Sequence, residues 1–272
     1  MTAPRSDKVF DGSIPKFYET YLTPLIFEPY AQDLAQRVKL EPVSRVLEVA
    51  AGTGVVTRAM VDALGASVSI VATDINQPML DYGASTRADA NVTWQQADAQ
   101  ALPFDDQTFD AVVCQFAVMF FPDRPKAYSE ALRVLKTGGQ FHFNVWDEIE
   151  ENEFAYTVTK ALADVFPHDP PQFLARTPYG YSNVHEVAAD LERGGFTSAP
   201  EIETVAARSK ASDPSVPAIA YCQGTPLRNE IESRDASLLQ HATDVATAAV
   251  AERFGAGAVD GKIQAHVVSI RA

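Results

Sequence analysis

The chain has 272 residues, of which 46% are hydrophobic and 21% are charged, so its composition is that of a globular protein with a sizeable core. The formal net charge of −14, without any run of lysine and arginine, argues against duplex DNA or structured RNA as a partner. No apolar stretch suits membrane insertion, no signal-peptide core follows the N-terminus, and the two cysteines predict neither a disulfide framework nor a metal site, so we expect a cytoplasmic protein.

The segment 13–38 is predicted to be helical and is rich in aromatic residues. Ser13 and Pro15 are typical of a helix start. We expect Phe27 and Leu34 to pack in the core against the edge of a sheet.

The stretch from Arg45 to Asp74 is predicted to form one βαβ unit. An apolar run reads as a buried strand, Gly52 and Gly54 make a tight turn, and a helix with regularly spaced apolar residues follows. A second apolar run then ends on Asp74. Glycine tolerates positive φ and leaves room for a ligand, and the helix start directs unpaired N–H groups at the turn. Open α/β sheets bind their ligands at this place, outside the carboxyl ends of the strands.

The side chains around the turn indicate which nucleotide it binds. A dinucleotide fingerprint has a third small residue at the helix start, and here that residue is Thr57. Glu48, inside the first strand, would repel a pyrophosphate and attract a ligand with an ammonium and a sulfonium charge, while Asp74 can accept from both hydroxyls of a ribose. The arrangement of Glu48, Gly52 and Gly54 resembles motif I of the class I S-adenosylmethionine (SAM) dependent methyltransferases.

This resemblance implies adenine contacts after the second and third strands. Relatives hold the adenine with the residue after the acid and with an apolar side chain a few positions on, which are Ile75 and Met79 here. Residues 91–97 are predicted to form the third strand. The run that starts at Asp98 and Ala99 and ends in Leu-Pro-Phe resembles the family motif in which the acid accepts from the adenine amine.

The apolar segment 111–121 is too long for one strand, so we expect its later half to leave the sheet. In the family this strand end borders the transferred methyl, and Gln115 and Phe116 stand there. We expect Cys114 to be buried core rather than a nucleophile. The cofactor-binding set that the resemblance implies is Glu48, Ala50, Gly52, Gly54, Asp74, Ile75, Met79, Asp98, Ala99, Gln115 and Phe116.

Residues 123–136 are predicted to form an amphipathic helix capped by Asp123 and ended by the glycine pair 138–139. Residues 140–146 then read as the fifth strand, and we expect His142 within it to be structural. The helix and its glycines resemble the family as well, in an architectural role.

The remainder of the chain, 147–272, is predicted to hold helices on the substrate side, a strand at 201–207, a helical insertion at 212–256 and a last strand at 262–270. The whole is expected to be one methyltransferase domain, with a helical lid at 13–38 and a SAM-binding core at 40–146. The fold class is α/β: a Rossmann-like, seven-stranded, mostly parallel sheet with helices on both faces and, by resemblance, an antiparallel last strand.

The function implied by the resemblance is SAM-dependent methyl transfer to an oxygen, nitrogen or carbon of a small-molecule acceptor, without a metal. The alternative is a SAM-binding protein of the same fold that transfers nothing and acts as a regulator or partner subunit. An NAD-dependent oxidoreductase is disfavoured by Glu48. A homodimer is possible.

The acceptor itself is not indicated by any motif. In relatives, aromatic residues of an N-terminal helix close over SAM and substrate, and Tyr18, Tyr21 and Tyr30 are the candidates for this role. The predicted substrate pocket contains Tyr18, Tyr21, Phe120 and Trp146. No catalytic residue is assigned, and if the acceptor needs a base, the candidates are His142, His168 and His185.

Overall fold

The computed structural model describes residues 14–40 and 42–272, and its strands form one sheet. The predicted helix start at Ser13 lies outside the described residues. The strands are β1 (Arg45–Val49), β2 (Ser69–Asp74), β3 (Val92–Gln96), β4 (Phe109–Gln115), β5 (Leu135–Trp146), β6 (Glu201–Ala211) and β7 (Val259–Arg271). Their order across the sheet is β3-β2-β1-β4-β5-β7-β6.

The sheet is parallel except for its last strand in the chain. Neighbouring strands from β3 to β5 pair in parallel. Along β5 the N–H of Gly138 donates to Ala272, whereas the N–H of Asp147 donates to Gln264, so β7 runs in the opposite direction. The predicted Rossmann-like sheet of seven strands with an antiparallel last strand is therefore confirmed.

The order of the strands places a topological switch point between β1 and β4. The strand order reverses there, since β2 and β3 continue on one side and β5 on the other. The carboxyl ends of β1, β2 and β4 consequently meet at one edge of the sheet. This edge is the place where the sequence analysis expects the cofactor.

Helices connect the strands and make up most of the remaining described chain. The helices are α1 (Ile14–Phe17), α2 (Glu28–Lys39), α3 (Val55–Leu64), α4 (Gln77–Thr86), α5 (Arg124–Val134), α6 (Glu153–Val165), α7 (Phe173–Arg176), α8 (Val184–Arg193), α9 (Ser215–Gln223), α10 (Leu227–Asp235) and α11 (Leu239–Phe254). A π-helix (Tyr18–Phe27) and three 3₁₀ turns (Val118–Phe120, Ile149–Glu151, Ala236–Leu238) complete the set. The predicted helical insertion corresponds to α9–α11. Among the described residues, no helix is long and apolar enough to cross a bilayer.

The described residues group into two compact units. The first unit contains residues 14–27, 146–180 and 206–265, and the second contains residues 28–145, 181–205 and 266–272. The core of the second unit joins α2 and α3 to one face of the sheet. It contains Ala31, Leu34, Ala35, Val38, Val46, Val56, Met60, Val61, Val68, Ile70, Ala111, Val113 and Val267.

The structure corrects three predicted boundaries. Helix α5 ends at Val134 rather than residue 136, because Leu135 is already extended and pairs with Phe109 of β4. The glycines at 138–139 therefore lie within β5 and do not cap the helix. Strand β6 continues past the predicted 207 to Ala211, where Arg208 binds Asp260 of β7. The prediction that the segment after Gln115 leaves the sheet is confirmed, since β4 ends there.

Candidate functional site

The loop after β1 has an unusual backbone. Ala50, Gly52 and Gly54 all have left-handed φ values, of 57°, 57° and 84°. The N–H of Ala51 donates to Thr73 at 2.8 Å, and the N–H of Gly54 donates to Ala51 at 2.9 Å. The glycines adopt this conformation freely, whereas Ala50 is strained in it. Strain of this kind is concentrated at ligand sites in proteins.

Asp74 ties this loop to the end of β2. Its side chain is 6% exposed. One carboxylate oxygen accepts from the N–H of Gly52 at 2.9 Å, and the other accepts from the N–H of Asn76 at 2.8 Å. Burial raises the pKa of Asp74, and the hydrogen bonds from Asn76 and Gly52 oppose that rise. The oxygen bound to Asn76 also accepts from the side-chain amide of that residue at 3.2 Å, whereas the oxygen bound to Gly52 can accept a further hydrogen bond, such as one from a hydroxyl of a ligand.

Glu48 lies deeper, with 1% of its surface exposed. Burial raises the pKa of its carboxyl to about 8, while the hydroxyl of Thr57, which donates to it at 2.5 Å, and the charge of Arg58 oppose the rise. At neutral pH the raised pKa therefore favours the protonated form of the carboxyl. The sequence identified the acid but could not show this state, because it depends on how deeply the folded chain buries the side chain.

Trp94 of β3 packs against the glycine turn, and the sequence analysis did not single it out. A Cβ atom added to Gly54 would lie 2.5 Å from the Trp94 ring, and one added to Gly83 of α4 would lie 2.9 Å from it. The missing side chain of Gly54 thus makes room for Trp94. No signal in the sequence could have found this contact, since it joins residues of three separate elements.

Gly54→Ala is expected to destabilise the protein by about 2–4 kcal/mol, because a steric clash adds to the strain of positive φ. Gly138→Ala is the control, since Gly138 has φ +81°, close to that of Gly54, and no atom within 4 Å of an added Cβ. It should cost only about 1–2 kcal/mol. In a Trp94→Leu background the two substitutions should cost the same. Urea unfolding measures all four differences, and an unchanged gap between the two alanines in that background would contradict the packing argument.

The residues predicted to hold adenine lie around the ends of β2 and β3. Ile75 is 57% exposed, which is unusual for a large apolar side chain. Met79 is buried. Asp98 is exposed and accepts from the N–H of Gln100 at 2.9 Å, and Ala99 beside it is half-buried. The structure therefore presents an open apolar side chain and an open acid after two adjacent strands.

The end of β4 is also strained. Phe116 is buried and has a φ of 48°. Its N–H donates to the side-chain oxygen of Asn144 on β5 at 2.8 Å, and its ring packs edge-on against Tyr30 at 5.2 Å between centroids. Gln115 before it is half-buried. Sequence reasoning missed Asn144, because its role depends on the pairing of β4 with β5.

The predicted substrate-pocket residues divide between the units. Phe120 belongs to the second unit and is half-buried in a 3₁₀ turn. The first unit holds the other three. Trp146 is buried with its ring centroid 6.2 Å from that of Phe27 and 5.7 Å from that of Tyr179. Tyr18 and Tyr21 are half-buried; Tyr18 stacks on Phe27 at 5.1 Å, and Tyr21 stacks on Phe17 at 5.8 Å.

The three candidate bases differ in their surroundings. His142 is buried, and its Nδ1 lies 2.8 Å from the hydroxyl of Ser269. Burial and the charges of Arg37 and Arg271 lower the pKa of His142 to about 4, so it is neutral at physiological pH. His168 and His185 are exposed, in a loop and in the first turn of α8. Cys114 is fully buried with a raised pKa, which makes it a poor nucleophile.

Residues 46–139 match the sequence model of a methyltransferase domain family. The chain is 31% identical over 170 residues to the ubiquinone/menaquinone biosynthesis C-methyltransferase UbiE of Rhizobium etli, covering 58% of this chain and 66% of that protein. It is 42% identical over 100 residues to the UbiE protein of Idiomarina loihiensis, covering 35% of this chain and 40% of that protein. The chain thus spans less than two thirds of the length of either relative.

Solved structures resemble this fold over nearly the whole chain. The [4+2]-cyclase SpnF has a TM-score of 0.60 at 17% identity, covering 100% of this chain and 98% of that one. The YcgJ protein of Bacillus subtilis has a TM-score of 0.56 at 21% identity, covering 89% and 98%. At such identities the likeness establishes the fold alone, and one of these two proteins is named for a different reaction.

Proposed function

We propose that this chain, of which residues 46–139 match a methyltransferase domain family, is a class I SAM-dependent methyltransferase that binds SAM at the carboxyl ends of β1, β2 and β4 and transfers its methyl group to a small molecule. The observation that carries the proposal is the bond between Asp74 and the N–H of Gly52 at 2.9 Å. It sets an acid with spare lone pairs against a glycine turn at the switch point. A ribose hydroxyl needs such an acceptor, and the glycine turn lets the ligand approach the backbone of the protein closely.

The residues present fit the chemistry of SAM. Asp74 would accept from the ribose hydroxyls, and exposed Ile75 with Met79 beside the turn would contact the adenine. Asp98 would accept from the adenine amine, and Ala99 would offer its N–H. Glu48, with the helix start after Gly54, would face the amino-acid end of the cofactor. Ala50, Gly52, Gln115 and Phe116 complete the proposed set.

The mechanism needs alignment more than acid–base catalysis. SAM supplies a methyl group that its sulfonium charge already activates. The chain's part is to hold the acceptor in line and to exclude water. Buried Cys114 and buried, neutral His142 are unsuited to attack or to proton transfer at an open site. The strained ends of β1 and β4 are suited to holding the cofactor and the acceptor in fixed positions.

The acceptor class to test first is an aromatic ring carbon. The two UbiE relatives are named as quinone-pathway C-methyltransferases, and we extend that reaction type to this chain as part of the proposal. Molecules with an oxygen or a nitrogen acceptor are tested beside it as alternatives.

The test is transfer of isotope from methyl-labelled SAM. A quinol, a phenol and an amine are each incubated with the protein, and the labelled product is identified by mass spectrometry. We expect label on a ring carbon of the quinol. SAM binding by calorimetry without label in any acceptor would favour the non-catalytic alternative, and NAD binding in place of SAM would contradict both. Light scattering on the same sample tests the predicted homodimer.

A further inference from the structure

Asn144 occupies a fully enclosed place beside the proposed site. It pairs with Gln115 across β4 and β5, near the carboxyl ends of both strands, and it is 0% exposed. Its Oδ1 accepts from the N–H of Phe116 at 2.8 Å. Because only the oxygen can accept from an N–H, this bond also fixes the orientation of the carboxamide.

The hydrogen bond supports a strained turn. Phe116, with a φ of 48°, stands in a region that residues with a Cβ avoid. Such a conformation persists only where the surroundings hold it. The turn ends β4 and directs the chain into the 3₁₀ turn that carries Phe120. The position of both Gln115 and Phe120 therefore depends on Phe116.

The other half of the carboxamide is unsatisfied. Nδ2 of Asn144 has no hydrogen-bond partner among the described residues, although it is buried. A buried donor without a partner is unfavourable, and an unpaired group in a native structure needs a reason. A leucine at this position would remove the unpaired Nδ2, but it would also take the acceptor away from the N–H of Phe116. The strained φ of Phe116 and the unpaired Nδ2 of Asn144 are both unfavourable, and one hydrogen bond joins the two residues at the end of β4. Their combination indicates a role in function rather than in stability.

We propose that Asn144 is a positioning residue for methyl transfer. It holds the backbone of Phe116 so that the end of β4 keeps the geometry that methyl transfer requires. The inference rests on the proposed function and concerns a residue outside the cofactor set named above. It predicts that kcat depends on the Oδ1 acceptor, so that a variant which keeps an oxygen in this place recovers the activity that an apolar side chain loses.

The experiment compares Asn144→Leu, which removes the acceptor, with Asn144→Asp, which keeps an oxygen in the same place. We expect Asn144→Leu to lower kcat about tenfold or more, with SAM affinity within about threefold, and to lower the midpoint of unfolding as well, because the N–H of Phe116 is left without an acceptor. Asn144→Asp should recover most of kcat. Gln140→Leu, a buried polar residue on the same face of β5, is the control and should leave kcat unchanged.

Hydrogen exchange of the Phe116 amide gives a reading that does not need turnover. The amide should exchange faster in Asn144→Leu and remain protected in Asn144→Asp. Unchanged exchange in Asn144→Leu would overturn the inference, and so would a kcat within twofold of the wild type. If the wild type methylates no acceptor, the proposed function fails, while the exchange measurement still decides whether Asn144 holds Phe116.

Discussion

Asp74→Ala is expected to weaken SAM binding by about 1–3 kcal/mol, or roughly 5–150-fold in Kd, because it leaves the ribose hydroxyls without an acceptor. The loss has a second source in the protein itself. The N–H groups of Gly52 and Asn76 lose the carboxylate that accepts from them, so the turn is held to β2 by fewer hydrogen bonds. Calorimetric titration with SAM at neutral pH measures the effect.

Two further variants separate these sources. Asp74→Asn keeps one oxygen and should bind SAM with intermediate affinity. Asp81→Ala removes an exposed acid of the next helix, which accepts from Gln77 in the same helix, and should bind SAM as the wild type does. SAM affinity unchanged in Asp74→Ala would remove the main support for the cofactor assignment.

The strands from β1 to β5 were predictable because their signals are local. Each apolar run is bounded by turn residues, and Asp74 follows directly on its own strand, so the position of this acid needs no knowledge of the fold. Boundaries set by distant partners were missed. The residues after Val134 read as helix ended by glycine, but pairing of Leu135 with Phe109 makes them strand. Tertiary pairing outweighed local preference there.

The residues of the candidate site also divide into those that a local motif reveals and those whose roles depend on the folded structure. Gly52, Gly54 and Asp74 belong to one contiguous motif, and the sequence located them. Trp94 and Asn144 have roles that exist only once separate strands and helices meet, and nothing near them in the chain points to those roles. The strain at Ala50 and Phe116 is of this kind too. Both residues follow strands that flank the switch point, so the strained positions bracket the proposed site.

Glu48→Gln is expected to make the stability of the protein less sensitive to pH. Burial raises the pKa of Glu48 in the folded state from 4.5 to about 8. Between these values the unfolded chain releases a proton that the folded chain retains, so the wild type loses stability as the pH rises. Glutamine has no proton to lose. The difference in unfolding free energy between variant and wild type should therefore grow in favour of the variant, by on the order of 4 kcal/mol from about pH 4.5 to 8.

Urea unfolding of both proteins across this pH range, without cofactor, measures the difference. Glu150→Gln, at an exposed glutamate, controls for the loss of one acid and should follow the wild type at every pH. A constant difference between Glu48→Gln and the wild type would mean that the Glu48 carboxyl ionises in the folded protein much as it does in the unfolded chain.

The same acid links stability to cofactor binding. If the ammonium end of SAM lies against Glu48, the carboxyl must ionise as SAM binds, and a proton leaves the protein. Calorimetric titrations at neutral pH in two buffers with different ionisation enthalpies measure this proton. The wild type should release most of one proton beyond any change in SAM itself, and Glu48→Gln should release none while binding SAM more weakly. Equal proton release by the two proteins would place the cofactor's cation away from Glu48. The burial that raises the pKa of Glu48 makes the free protein less stable at high pH, and under the proposed function the same carboxyl would become charged when a cationic ligand binds.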